Sequence, residues 1–377
     1  MAADENQQRR TNAGGGGHAK QAQFNGRLES GVLTVTRFED ATAQAAAMRV
    51  IPAERLRAEA RALVAAAAAH PGAAGSAAVS HPDATLLRLL HWFKHEFFTW
   101  CNNPPCHSCG CTDTRSEGGA PPSDEDQAYG ATRVEAYRCP VCAATTRFPR
   151  YNDAVKLLET RAGRCGEWAN AFTLCCRAMG FEARWVMDWT DHVWTECWSE
   201  AQGRWMHCDS CEDACDQPLL YEQGWGKKLS YVVAFGKDDV VDVTRRYVVD
   251  MADTATRRTE CDELWLAGAV CRLTARLRLG EGGVRRRQAL SARDAEEGLE
   301  LGRAGGGSGG GGGQALPGRQ TGSLAWRAAR GELGPDPAAA PAAAAPAPDR
   351  RRDLPENVKR GRGSNHRRRR HRLAVWS

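Results

Sequence analysis

A chain of 377 residues is long enough for two or three domains and a substantial core. Its 51 Lys and Arg against 46 Asp and Glu leave a formal charge of +5, too small an excess to mark a nucleic-acid binder. Fifteen cysteines would suit a disulfide-rich secreted protein, but MAADENQQRRTNAGGGG lacks the apolar core of a signal peptide and no stretch approaches the roughly 18 apolar residues of a membrane span. A reducing compartment is therefore predicted, with thiols that are reduced, metal-bound or catalytic.

Residues 1–82, rich in Ala and Gly and poor in aromatics, read as a mostly flexible lead-in with one helix over PAERLRAEARALV, 52–64. Order is expected from HPDATLLRLLHWFKHEFFTW, where Leu86, Leu89, Leu90, Phe93, Phe97 and Trp100 recur at helical spacing behind Asp83 as a cap. A second helix is predicted over YNDAVKLLET, and a third from Cys165 to Met179 with Gly180 as its stop. The period then changes to two. FEARWVMDW, HVWTECWS, GRWMHCD and LSYVVAFG are short, aromatic-rich runs with strand character. Helices followed by consecutive strands predict an α+β domain with an antiparallel sheet over 83–250. A helical extension over 251–300 follows, then a disordered Gly/Ala/Pro/Arg-rich tail over 301–377 that contains GGGSGGGGG and NHRRRRHR. The arginine run reads as solvated chain, with a nuclear-localisation or polyanion-binding patch as the alternative.

Cys106-x2-Cys109, then 29 residues, then Cys139-x2-Cys142 supplies two thiolate pairs, each able to clasp one tetrahedral metal from one side. The prolines of NNPPC and RCPVC stiffen both knuckles. Zinc is the expected occupant, within a subdomain over 101–148. Four unrelated core thiols would leave the polar TDTRSEGGAPPSDEDQ between them unexplained, whereas a metal that pins both ends of a loop accounts for it. His107 and Cys111 lie beside the site as redundant donors, and an iron–sulfur cluster fits the long insert less well.

A cysteine nucleophile needs a lowered thiol pKa, a histidine partner and a third group to orient the imidazole. Cys165 is placed in the first helical turn, where the dipole favours a thiolate. His192 shares a strand face with Trp194, and Asp209 shares one with Trp205 and His207. A turn over 199–202 would pair Trp198 with Gly203 and set His192 directly opposite Asp209, while a one-residue slip would separate them. Cys175 and Cys176 read as core. His207, Cys208, Cys211 and Cys215 have spacings a second metal could tolerate, but Asp209 is wanted by the triad.

WFKHEFFTWCNNPPCHSCG, EAYRCPVC, RAGRCGEWANAFTLCCRAMGFEARWVMDWTDHVWTECWS, HCDSCEDACDQPLLYEQGWGKKLSYVVAFG and DVTRRYV, over about 88–248, closely resemble the cytoplasmic peptide:N-glycanases of the transglutaminase-like superfamily. LPGRQTGSLAWRAARGELG, Leu316 to Gly334, is similar to a segment found downstream in some members. The resemblance implies a papain-like, transglutaminase-like core with an inserted four-cysteine subdomain, Cys165 as nucleophile, His192 as base and Asp209 as orienting acid. It implies one structural zinc on Cys106, Cys109, Cys139 and Cys142. It puts Glu212 against the sugar and suggests Trp194 and Trp205 as cleft lining. The implied reaction removes N-linked glycans from misfolded glycoproteins through a cysteine thioester. The implied location is the cytoplasm, extending to the nucleus. The implied partners are denatured N-glycoproteins and proteasome or ubiquitin-pathway shuttle factors, although residues 1–82 show no adaptor domain of the family's kind. A transglutaminase-type acyl transferase and an idle zinc-containing adaptor are the competing readings.

Overall fold

The computed structural model describes residues 2–69, 79–279, 283–303 and 316–334, with side chains from residue 19 onward. All of these belong to one unit, Met1–Pro335.

The N-terminal region is helical rather than flexible. α1 (Ala2–Arg37), α2 (Ala41–Val50) and α3 (Ala53–Ala69) follow one another, so the single helix expected over 52–64 is one of three. Phe24, Leu28, Val32 and Val35 fall on one stripe of α1 and are buried. Phe24 stacks on Trp189 at 4.4 Å and meets Tyr231 edge-on at 4.9 Å. Gly31 lets α1 lie flat on the sheet, since a Cβ there would come within 2.5 Å of the Phe235 ring. Asp40 caps α2 by accepting the Ala43 N–H at 2.8 Å, and Ala43, Ala46 and Ala47 bury its small-residue face.

α4 (His81–Trp92) begins at Ser80, whose Oγ accepts the Asp83 N–H, so Asp83 lies inside the first turn and the hydroxyl one turn earlier is the cap. A π-helical turn, Phe93–Phe97, extends it and gathers Phe93, Phe98, Trp168 and Phe172 into one aromatic cluster. β1 (Thr99–Trp100) then runs parallel to β5 (Ala162–Gly163), the residues just before Cys165. Between them lies a subdomain with a three-stranded antiparallel sheet of β2 (Arg115–Ala120), β3 (Val134–Arg138) and β4 (Thr145–Pro149), carrying the short α5 (Asp124–Ala128). The polar segment between the cysteine pairs is therefore an exposed edge strand and a capped helical turn, not a bare loop. α6 (Ala154–Thr160) leads to β5.

α7 (Cys165–Ala178) ends before Gly180, whose φ of +88° needs no Cβ. It packs across a six-stranded antiparallel sheet in the order β11-β10-β6-β7-β8-β9. The strands are β6 (Ala183–Asp188), β7 (His192–Ser199), β8 (Arg204–Asp209), β9 (Ala214–Cys215), β10 (Val232–Phe235) and β11 (Val240–Asp242). Cys175 and Cys176 are fully buried beneath it. α8 (Thr244–Tyr247), α9 (Met251–Ala255), α10 (Glu263–Leu277) and α11 (Val284–Arg303) follow. α11 is bolted to the sheet through Glu297, which takes Arg184 of β6 at 2.5 Å and Arg246 of α8 at 2.8 Å. α12 (Leu324–Ala329) lies within 316–334. That segment is ordered, which corrects the reading of 301–377 as a disordered tail for these residues; the glycine run and the arginine run lie outside the described residues.

Candidate active site

Cys165 stands at the first position of α7, and the start of that helix is held from several sides. Glu167 accepts the Arg164 N–H at 2.9 Å and takes Arg150 at 2.6 and 2.8 Å. Glu135 of β3 takes Arg164 at 2.7 Å and Arg150 at 3.2 Å. These carboxylates and guanidiniums join the four-cysteine subdomain to the residues that present the thiol. Gly163 is obligatory here, because a Cβ would fall 2.3 Å from that of Glu167.

The structure brings Cys165, His192 and Asp209 together. His192 Nε2 lies 2.7 Å from Asp209 Oδ2, which leaves Nδ1 for the Cys165 side. Asp209 is fixed by the Cys211 N–H at 2.8 Å and the Tyr221 hydroxyl at 3.0 Å. The strand register differs from expectation: Trp198 pairs with Trp205 and Ser199 with Arg204 across a turn over 200–203. The offset is two residues, so side chains keep their faces and His192 still reaches Asp209.

Electrostatics follow from this packing. Burial pushes the Cys165 thiol up, but the neighbouring His192 and then the Arg319 cation outweigh it and leave the thiol below its ordinary value. Burial pushes His192 down, and the Asp209 carboxylate more than restores it, leaving the imidazole raised. Asp209 itself is held far below the usual carboxylate range: burial opposes, and the His192 charge and hydrogen bond prevail. His207, buried against the Tyr221 hydroxyl at 2.6 Å, is driven down to about 4 and stays neutral.

Several contributors were not singled out from sequence. Tyr221 orients Asp209, and Trp225 packs on the His192 ring at 4.9 Å. The largest is the strap formed by residues 316–334, noted in the sequence only for its likeness to a downstream family segment and given no part in the site. Both oxygens of Glu212 accept strap amides, from Gln320 at 2.8 Å and Thr321 at 3.1 Å. Its visible work is thus to hold the strap. Trp194 and Trp205 are only 1% and 2% exposed. Trp194 donates to the Tyr247 hydroxyl and Trp205 lies under the Arg184 guanidinium at 3.6 Å, so both are core and neither offers a face to a sugar. A cleft of about 570 Å³ beside Arg164 is walled by Asn102, Glu135 and Tyr137 on one side and by Ser323 and Trp326 of the strap on another.

The sulfurs of Cys106, Cys109, Cys139 and Cys142 lie within 4.8 Å of one another, with Cys106–Cys142 and Cys109–Cys139 at 3.5 Å. Metal–sulfur bonds of about 2.3 Å in a tetrahedron require separations of about 3.8 Å, so the group fits one metal ion. Amides of Ser108 and Cys109 point at Cys106, and those of Val141 and Cys142 at Cys139, the donor pattern that stabilises knuckle thiolates. His107 instead meets the Thr146 hydroxyl. His91 and His95, both exposed, and the partly buried Asp213 form a second group with converging ligand atoms.

A helix that presents a thiol to an antiparallel sheet bearing histidine and aspartate, with a cysteine-rich insert before the helix, defines a transglutaminase-like domain. The profile of the transglutaminase-like superfamily matches residues 119–210, and that of the Rad4 transglutaminase-like domain matches residues 189–278. The chain is 48% identical over 307 residues to the peptide-N(4)-(N-acetyl-beta-glucosaminyl)asparagine amidase of Rattus norvegicus, covering 81% of this chain and 46% of that one. It is 45% identical over 307 residues to the protein of the same name from Oryza sativa subsp. japonica, covering 81% of this chain and 67% of that one. The chain belongs to the peptide-N(4)-(N-acetyl-beta-glucosaminyl)asparagine amidase family. It spans a little under half the length of the animal relatives. Among solved structures it resembles Rad4–Rad23 bound to a 6-4 photoproduct lesion, with a TM-score of 0.47 and 14% identity over 80% of this chain and 60% of that one.

Proposed function

We propose that the protein hydrolyses the bond between an asparagine side-chain nitrogen and the first N-acetylglucosamine of an N-glycan. The observation that carries this is the 2.7 Å His192–Asp209 pair set against a half-buried Cys165 at a helix start, in a chain of this family. The Cys165 thiolate attacks the side-chain carbonyl carbon, and the helix-start amide of Cys165 is one donor for the oxyanion. As the C–N bond breaks, the His192 imidazolium passes its proton to the leaving glycosylamine. A water deprotonated by His192 then attacks the thioester, which regenerates the thiol and leaves aspartate. Asp209 keeps the imidazole in the productive tautomer throughout.

Cys106, Cys109, Cys139 and Cys142 would hold one structural zinc, which would fix the knuckles at the ends of the small sheet and so the strand that carries Glu135. The substrates are denatured N-glycoproteins, because a folded glycoprotein would not present its linkage to the cleft. Proteasome or ubiquitin-pathway shuttle factors are the proposed deliverers. Fifteen free cysteines favour action in the cytoplasm, extending to the nucleus. Among the described residues, no helix is long and apolar enough to cross a membrane.

The test is incubation with denatured and native high-mannose glycoprotein, reading free glycan and the mass change of Asn to Asp, with Cys165→Ala as control. Release from denatured substrate that Cys165→Ala abolishes is expected. No release by the intact protein overturns the proposal, and amine incorporation without release would reassign the site to acyl transfer.

A further inference from the structure

Arg319 is completely buried, yet among the described residues only one of its side-chain nitrogens is paired: Nη1 reaches Glu332 at 2.8 Å, while Nε and Nη2 have no acceptor there. Glu332 is itself shared with Arg330, which also takes Asp191 at 2.7 Å. An arginine buried for packing or stability is expected to have its donors satisfied. This one instead sits in a cage of Trp225 and Trp326, each 4.6 Å from it, and Trp100 at 5.2 Å. The same Trp225 ring packs against His192, so the guanidinium and the imidazole share one aromatic wall.

The strap is built to deliver it. Glu212 accepts the Gln320 and Thr321 amides, Thr321 Oγ1 donates to the Cys211 carbonyl at 2.5 Å, and Lys94 donates to Thr321 Oγ1 at 2.8 Å. The Arg319 N–H closes on the Glu332 carbonyl at 2.9 Å. Gly318 permits that closure, since a Cβ there would strike the Leu333 carbonyl. Every anchor but the last joins Arg319's neighbours to the loop after Asp209 or the turn after α4, so the cation is registered to the triad.

We propose that Arg319 is a positioning residue of the active site, the fixed positive charge that holds Cys165 as a thiolate in a water-poor setting. The charged and titratable groups facing Cys165 are His192 and Asp191 beside β7, Arg150 before α6, Cys211 after β8 and Arg319 from the strap. Arg319 favours the thiolate but opposes the imidazolium of His192. Removing its charge therefore moves the titrations of both groups to higher pH, a paired signature that lost packing alone does not produce.

The inference uses the proposed hydrolase reading only to name Cys165 as the reactive thiol, and the assay reads that thiol directly. Alkylation of Cys165 by iodoacetamide is followed by peptide mass spectrometry across pH in the wild type, R319M, R319Q and R319K, with exposed Cys271 as internal reference. Arg319→Met and Arg319→Gln are expected to slow Cys165 alkylation by up to about tenfold on the acid side of its titration, the limit for a titration displaced by one pH unit. Arg319→Lys should retain most of the wild-type rate, and Cys271 should not change. In glycan release, both limbs of the kcat/KM pH profile should rise together. An unchanged titration in either folded neutral variant overturns the inference, as does Lys behaving like Met. Should neither neutral variant fold, Glu332→Gln decides: freed of its counter-ion, the Arg319 guanidinium must move the Cys165 titration to lower pH, and an unchanged titration overturns the inference. No glycan release by the wild type, with the titration shift intact, would sink the hydrolase reading and leave this one standing.

Discussion

Glu135→Gln separates the subdomain from the nucleophile helix without changing shape. Glu135 accepts from Arg164 at 2.7 and 3.1 Å, from Arg150 at 3.2 Å and from the Tyr137 hydroxyl at 2.6 Å. Burial pushes this carboxyl up, but Arg164 and Tyr137 as donors and the charges of both arginines hold it at about 2. Against an unfolded value of about 4.3, that depression corresponds to about 3 kcal/mol. The two guanidiniums keep 17% and 18% exposure, so water recovers part of the loss and roughly 2 to 3 kcal/mol is expected at pH 7. The sign follows from the depressed value: the stabilisation is complete above the unfolded pKa and is lost as pH falls towards about 2. Urea unfolding of wild type and Glu135→Gln between pH 7 and 3.5 measures it. The gap between them should narrow by roughly 1 kcal/mol by pH 3.5. A variant within about 0.5 kcal/mol of wild type at pH 7, or a gap that ignores pH, refutes the view that this cluster couples the two parts.

Asp209→Asn should lower kcat for glycan release by roughly three orders of magnitude and shift the His192 titration to lower pH, since the Asp209 charge is what raises it; NMR titration of the imidazole checks the second point. Verified metal removal, or Cys139→Ser, should lower the melting temperature, because binding to the knuckles is coupled to folding; an unchanged melt with the metal gone would show the site to be dispensable. Gly31→Ala should cost about 1 to 3 kcal/mol by forcing the Phe235 ring away from α1, read in the same urea assay. An unaffected stability would mean that α1 does not need its close approach to the sheet.

The convergence of Cys165, His192 and Asp209 could be read from sequence for a reason that also explains why the expected register was off by two. Within one sheet, a side chain's face depends only on the parity of its position. His192 and Asp209 therefore stayed on one face although the pairing runs Trp198 to Trp205 rather than Trp198 to Gly203. The four cysteines were equally readable, because two short knuckles converge by local geometry. No such protection covers what arrives from a distance. The stripe Phe24, Leu28, Val32 and Val35 is diluted by polar and small residues, and it becomes a core face only against Trp189, Tyr231 and Phe235, which lie far along the chain. Arg319 is the extreme case, since nothing local distinguishes a buried arginine from a solvated one. Beside the likeness of Leu316 to Gly334 to a family segment, a compositional cue was available: between glycine-rich and alanine- and proline-rich stretches it returns to Trp, Leu, Glu and isolated glycines, the mixture of a segment that packs. Such an island after a low-complexity run is better read as a segment that packs than as tail.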